Sequence, residues 1–290
     1  MKRLAPTVIL GLFALPSIAL AQGHHHRHAR PAAGSSSSPL PSADAAPAEL
    51  QPAAEPTPDS DTLLQVIQAA AVSGTDGARG ISDVILRGVT PRVAAAGLDA
   101  LGVLAQPSGA PAVLRFLEHR RAMLRRHAIA AAQAIHTPDL VRALVARLAD
   151  SDEEVRVEAA AALAEVGSAA DADTLFTAFE RDLEATTAPG SGRLLHECAK
   201  AIARIGSEHD VQRLLGYLRR APFRSMADAM RSALTRRDLP EPFRIRIVQS
   251  VGDLATREVR DFLNSVIADA HGADSLVTRA ARTAADRIAE

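Results

Sequence analysis

Apolar positions along this chain recur at helical spacing, and the helical units themselves recur. Val155, Ala159, Ala162, Leu163 and Val166 stand at i, i+4, i+7, i+8 and i+11, one face of a helix. The same arrangement opens at Val93 and at Leu124, so three copies stand 31 residues apart. A fourth opens at Leu194, 39 residues after Val155. The first column reads Val93, Leu124, Val155, Leu194, and the ninth reads Leu101, Ala132, Leu163, Ile202. The fifth is always small: Gly97, Ala128, Ala159, Cys198. A small residue at a repeated inner position lets neighbouring helix backbones approach closely. A second amphipathic helix precedes each inner one, carried by Leu140, Leu144 and Leu148, then Leu175, Phe176 and Phe179, then Val211, Leu214, Leu215 and Leu218. A period of this size predicts stacked helix pairs, none of which buries its apolar face alone.

Punctuation between the periodic segments fits helix pairs. Thr137-Pro138-Asp139 sets Pro in a first helical turn. Ser151 with Glu154 reads as a capping box for the helix from Val155. Gly167 and Gly206 stand where a left-handed turn ends a helix. At the start of the ordered part, Ser60 or Asp61 caps a helix carrying Leu63, Leu64, Val66 and Ile67. The Gly-rich stretch 73–80 ends it, and Ile81 to Leu86 form another short segment. Beyond Gly206 the pattern loosens. Met226–Leu234 and Phe243–Leu254 both match the inner columns but start only 17 residues apart, so one of them plays a different role. Val259–Ala268 and Leu276–Ile288 form a last pair.

Three segments follow. Residues 1–21 combine a basic start, an apolar stretch from Val8 to Leu20 and the ending Ala19-Leu20-Ala21, the layout of a cleaved signal peptide. This predicts export, to the periplasm or beyond, with no membrane span after cleavage. Residues 22–60 are His-rich and then Pro/Ala/Ser-rich, carry almost no large apolar side chain and predict a disordered linker. Residues 61–290 hold the repeats. The chain is thus expected to be all-α, an α-solenoid of stacked antiparallel helix pairs behind a signal peptide and linker.

The run Asp150-Ser-Asp-Glu-Glu-Val155-Arg156-Val-Glu-Ala-Ala-Ala-Ala-Leu163-Ala-Glu-Val-Gly167 resembles a HEAT repeat of the compact bacterial type. It shows an acidic turn, a Val-Arg pair, an Ala-x-x-Ala-Leu core and a closing Gly. The resemblance covers 110–218 well and 81–290 loosely. It implies a solenoid whose second helices line a concave face used for protein binding. Two enzyme groups share such repeats. Leu195-His196-Glu197-Cys198-Ala199 is similar to a ligand motif of deoxyhypusine hydroxylase, but His196-Glu197 is the only His-Glu pair, and a di-iron centre needs ligands from several repeats. For the bilin lyases nothing beyond the repeat itself speaks.

Composition sharpens the class. The absence of Trp and the single Tyr argue against strands. A net charge of −1 excludes a general nucleic-acid binder. The one cysteine, Cys198, forms no internal disulfide, and its place in the small column makes it a buried thiol rather than a nucleophile. No catalytic triad order, zinc-binding His-Glu-x-x-His or phosphate loop is present, so no enzyme is expected.

Two features carry candidate chemistry. Cleavage after Ala21 would expose Gln22-Gly23-His24, a nitrogen set suited to Cu(II) or Ni(II), with His25, His26 and His28 as further donors. Charge is banded: basic from Arg115 to Arg147, acidic from Asp150 to Glu184, basic again beyond Arg213. Either the bands pair across neighbouring repeats or they select a partner of complementary charge. The second option makes Arg120, Arg121, Arg125, Arg126, Arg219, Arg220 and Arg224 the partner-binding residues. The expected function is an exported scaffold that binds another protein. The alternative is a metal-associated protein using the His-rich tail.

Overall fold

The structure is a computed structural model and describes residues 59–185, 192–270 and 275–289. Fourteen α-helices and no strand occur among the described residues. They are α1 (Ser60–Ala70), α2 (Gly74–Leu86), α3 (Pro91–Leu104), α4 (Ala110–Leu117), α5 (Ala122–Ile135), α6 (Pro138–Arg147) and α7 (Glu153–Val166). There follow α8 (Ala172–Ala185), α9 (Arg193–Ile205), α10 (Glu208–Leu215), α11 (Phe223–Thr235), α12 (Glu241–Gly252), α13 (Arg257–Asp269) and α14 (Leu276–Ala289). None is long and apolar enough to cross a membrane.

The chain forms an α-solenoid. Helices α3, α5, α7, α9 and α11 stack in one row, each packed on the next, while α4, α6 and α8 each pack on the row helix that follows them. The row is held by the recurrent columns. Val93, Leu101, Gly97, Ala128, Val155, Ala159, Leu163, Leu194, Cys198 and Ile202 are all buried. The small column does the work expected of it. A Cβ on Gly97 would come within 2.3 Å of Ile85 Cγ2, so α2 and α3 meet only because that side chain is missing. The loosening after Gly206 also has a structural form. Helix α11 ends the row against α9, whereas α12 makes its main contact with α14 and opens a second, shorter row.

Helix ends depart from the expected punctuation in four places. The cap of α7 is Asp152, whose carboxylate accepts the Val155 N–H at 3.1 Å, not Ser151. The cap of α1 is Asp59, which accepts from Thr62 N–H at 2.7 Å. The glycines of 74–80 lie inside α2 instead of ending α1, and Gly77 lets the helix start pass Ala70, whose carbonyl oxygen a Cβ would meet at 2.0 Å. Gly167 and Gly206 are extended, with φ −76° and −66°, not left-handed. They are glycines for space: a Cβ would stand 2.6 Å from the Leu163 oxygen in one case and 2.5 Å from the Ile202 oxygen in the other. The left-handed helix ends belong instead to Ala105 and His136, with φ 49° and 38°.

Arginines lock each turn to the next. Arg125 donates to the carbonyl oxygens of His119 and Arg120, and Arg156, 31 residues on, donates to those of Asp150 and Ser151. These are the arginines of the repeated second column. Arg147 reaches the Leu117 carbonyl at the end of α4, and Arg181 the Leu148 carbonyl after α6. Arg147 and Arg181 each place a cation at a helix C-terminus, where the aligned peptide dipoles favour it.

Candidate functional site: two clefts on the stack

The exposed side of the row helices is crossed by ion pairs between neighbouring helices. Arg126 on α5 meets Glu158 on α7 at 2.6 Å, and Arg204 on α9 meets Glu165 on α7 at 2.6 Å. Arg193 pairs with Glu154, and Arg231 with Asp269. His127 Nδ1 lies 2.6 Å from Asp99 on α3, and His196 lies 3.4 Å from Asp228 on α11. The hydrogen bond to Glu158 holds the Arg126 guanidinium protonated even more firmly than usual. Between α5 and α7 this surface opens into a cleft of about 400 Å³, with Ala130 and Ala161 at its floor and Met123, Arg126, Gln133 and Glu158 around it. The small floor follows from the sequence: α5 and α7 are the most alanine-rich copies of the repeat.

A second cleft, about 270 Å³, lies between the turn joining α2 to α3 and the turn joining α4 to α5. Its lining combines Val89, Pro91 and Phe116 with Arg115, His119, Arg120 and Arg121, and includes no carboxylate. The three arginines are exposed, and none makes an ion pair among the described residues. The imidazole of His119 stacks on Phe116 with centroids 5.6 Å apart, and its Nδ1 accepts the Arg121 N–H at 3.1 Å. Burial, then the charges of Arg120 and Arg121, hold its pKa below the ordinary imidazole value. With Nδ1 occupied as acceptor, the proton of the neutral ring sits on Nε2.

The seven arginines of the expected basic bands therefore meet four fates. Arg120 and Arg121 line the second cleft and make no ion pair among the described residues. Arg126 lines the first but is paired. Arg219, Arg220 and Arg224 are exposed, and Arg220 lies over the Tyr217 ring at 5.5 Å. Arg125 departs from the expectation: it is buried, at 8% exposure, and bound to Asp150 at 2.6 Å. Its guanidinium is spent inside the fold and offers nothing to a partner. Sequence reasoning passed over His119 and the apolar wall of Val89 and Pro91, because only folding brings two turns about 30 residues apart side by side.

His24, His25, His26 and His28 lie outside the described residues. Among the described residues no three His, Cys, Asp or Glu side chains gather where they could hold a metal. Cys198 is fully buried, and burial raises its thiol far above the usual range.

Comparison with protein families agrees with the helical repeats. A family model described as HEAT repeats matches residues 78–164 and, overlapping them, 110–189. No curated protein matches the chain. Among solved structures, the chain is similar to the complex of CpcE and CpcF of phycocyanin lyase from Nostoc sp. PCC7120, at 17% identity, covering 86% of this chain and 100% of that one, with a TM-score of 0.44. An archaeal HEAT-like repeats protein from Thermococcus onnurineus NA1 shares 14% identity over 80% of this chain and 98% of its own, with a TM-score of 0.44. A designed armadillo repeat protein in complex with the peptide (KR)4 shares 18% identity over 79% and 99%, with a TM-score of 0.31. The repeated columns, their burial in one helix row and the family match lead to one assignment: residues 78–189 are HEAT repeats.

Proposed function

We propose that this protein is an exported, non-enzymatic scaffold that binds another protein along the exposed side of its row helices. The observation that carries the reading is the cleft between α5 and α7. Its alanine floor admits a chain segment close to the helix backbones, and its rim charges already neutralise one another. Such a surface takes a segment by shape and backbone contact rather than by net charge. Export is supported by the layout of residues 1–21 alone. The non-enzymatic reading is supported by the inaccessible thiol of Cys198 and by the lone His196-Glu197 pair, which faces Asp228 rather than a second ligand set.

Filling the cleft tests this. Ala130→Trp places a large ring on an exposed position of α5 and leaves the buried columns untouched. Cross-linking in the native host, followed by mass spectrometry, should show partners bridged to α5 and α7 in the wild type and lost in the variant. An identical set of cross-links from both proteins would overturn the reading.

A further inference from the structure

We propose that the second cleft is an anchor for one carboxylate of a bound protein segment, with the segment's neighbouring apolar side chain against Val89 and Phe116. The proposal rests on reading the chain as a scaffold for protein partners, and adds where one charged group of the partner goes.

Arg115, Arg120 and Arg121 all line one small concavity whose lining holds no acid. Elsewhere on the stack, Arg126, Arg193, Arg204, Arg213 and Arg231 each meet a carboxylate on a neighbouring helix. Other exposed arginines, among them Arg87, Arg219, Arg224, Arg237 and Arg257, also make no ion pair among the described residues, but they line neither cleft. What sets Arg115, Arg120 and Arg121 apart is that the three share one shaped site with no acid in its lining. His119 fits the same account. Burial and the charges of Arg120 and Arg121 disfavour its charged form, and its ring stays stacked on Phe116.

The chemistry of the expected guest follows. Guanidinium groups grip a carboxylate through paired, parallel hydrogen bonds. The wall of Val89, Pro91 and Phe116 excludes water from one side, which strengthens those bonds and favours an apolar neighbour. A volume of about 270 Å³ holds a side chain or a chain end, not a folded domain.

Fluorescence polarisation with the full chain, at about 0.15 M ionic strength to screen loose attraction, tests the anchor. Three dye-labelled hexapeptides serve as probes. One carries Leu-Glu-Leu and an amidated end, one carries no Glu but ends in Leu with a free carboxylate, and one carries Leu-Gln-Leu and an amidated end. We expect at least one of the first two to bind and the third to fail; which of them binds tells a side-chain from a terminal carboxylate. Arg120→Gln with Arg121→Gln should weaken binding at least tenfold, Arg115→Gln should weaken it less, and Arg219→Gln with Arg220→Gln should leave it unchanged. All substituted side chains are exposed, and an unchanged thermal midpoint confirms that each variant folds. The anchor is overturned by equal loss in the Arg219/Arg220 variant, by binding of the Gln peptide, by no binding of either carboxylate peptide, or by inorganic phosphate displacing the probe at lower concentration than acetate. If the peptides fail while Ala130→Trp still removes cross-links on the row face, the anchor falls and the scaffold stands.

Discussion

On the face of the row helices Arg126, Arg193, Arg204 and Arg231 each reach an acid on a neighbouring helix, whereas at the edge cleft Arg115, Arg120 and Arg121 reach none among the described residues. Between the two stands Arg125, in the same short run of sequence as Arg120 and Arg121 yet buried against Asp150. One residue type thus does three jobs within a single helix and the turn before it. The helix phase decides which. A side chain turned into the junction between repeats meets the next turn and its carbonyls, one on the face meets the next helix, and one in the turn itself meets only solvent or a guest. The charge bands visible along the sequence are consumed on the face and remain available at the edge.

The largest expected effect breaks the buried member of that comparison. Asp150→Ala leaves the Arg125 guanidinium buried without its carboxylate, and removes the acceptor of the Asp152 N–H as well. Loss of one partner of a buried pair costs ~3–5 kcal/mol. Chemical denaturation should show a midpoint shift of that size. A loss below about 1 kcal/mol, the size typical of an exposed pair, would place Arg125 with the face arginines instead.

Next in size is a test of the close contact that holds the first helices together. Gly97→Ala drives a methyl group into Ile85 Cγ2, which sits on a rigid branched side chain. Overpacking of this kind costs about 1–3 kcal/mol. The same exchange at Ala128 or Ala159 would have no meaning, because those copies already carry the methyl group in the column. Thermal unfolding that is unchanged in Gly97→Ala would show that α2 yields freely.

These contrasts mark how far the sequence could be read. The columns opening at Val93, Leu124, Val155 and Leu194 gave the helix row, because burial in a stack imposes the same period on every copy. The ends of the helices were less legible. Gly167 and Gly206 look like left-handed caps, yet they are extended and small only for want of room, while Ala105 and His136 adopt the left-handed turn without being glycine. Local residue preference says which conformation is cheap, and packing against Leu163, Ile205 or Asp210 decides which is used. The candidate sites were legible in part. Arg120 and Arg121 stand where a partner could reach them, but the capture of Arg125 by an acid 25 residues further on, and of Arg126 by one 32 further on, depends on the repeat spacing placing turn on turn.

Ala105 allows that point to be measured. A left-handed residue with a Cβ is strained by about 1 kcal/mol relative to glycine. Ala105→Gly should therefore stabilise the protein by roughly 0.5–1 kcal/mol, part of the gain being offset by the freer unfolded chain. A destabilised variant would mean that the methyl group of Ala105 makes a contact worth more than its strain.

The smallest effect separates the face from the edge most cleanly. Arg126 and Glu158 are both partly exposed, so their coupling in a double-mutant cycle, built from Arg126→Ala, Glu158→Ala and the pair, should be only about 0.2–1 kcal/mol despite the 2.6 Å contact. Arg120→Gln with Arg121→Gln should change stability by less than ~0.5 kcal/mol, as substitutions that touch no buried feature do. The two results would then differ little in size but entirely in origin. Coupling on the face should fall as salt is added, since it comes from a pair already formed. Removing the edge arginines should instead raise stability slightly at low salt, because three like charges with no acid among them repel one another in the folded state. A loss of stability at low salt on removing Arg120 and Arg121 would mean that the fold itself supplies their counter-charge, and the cleft would then be one more rung of the same ladder rather than a place kept open for a guest.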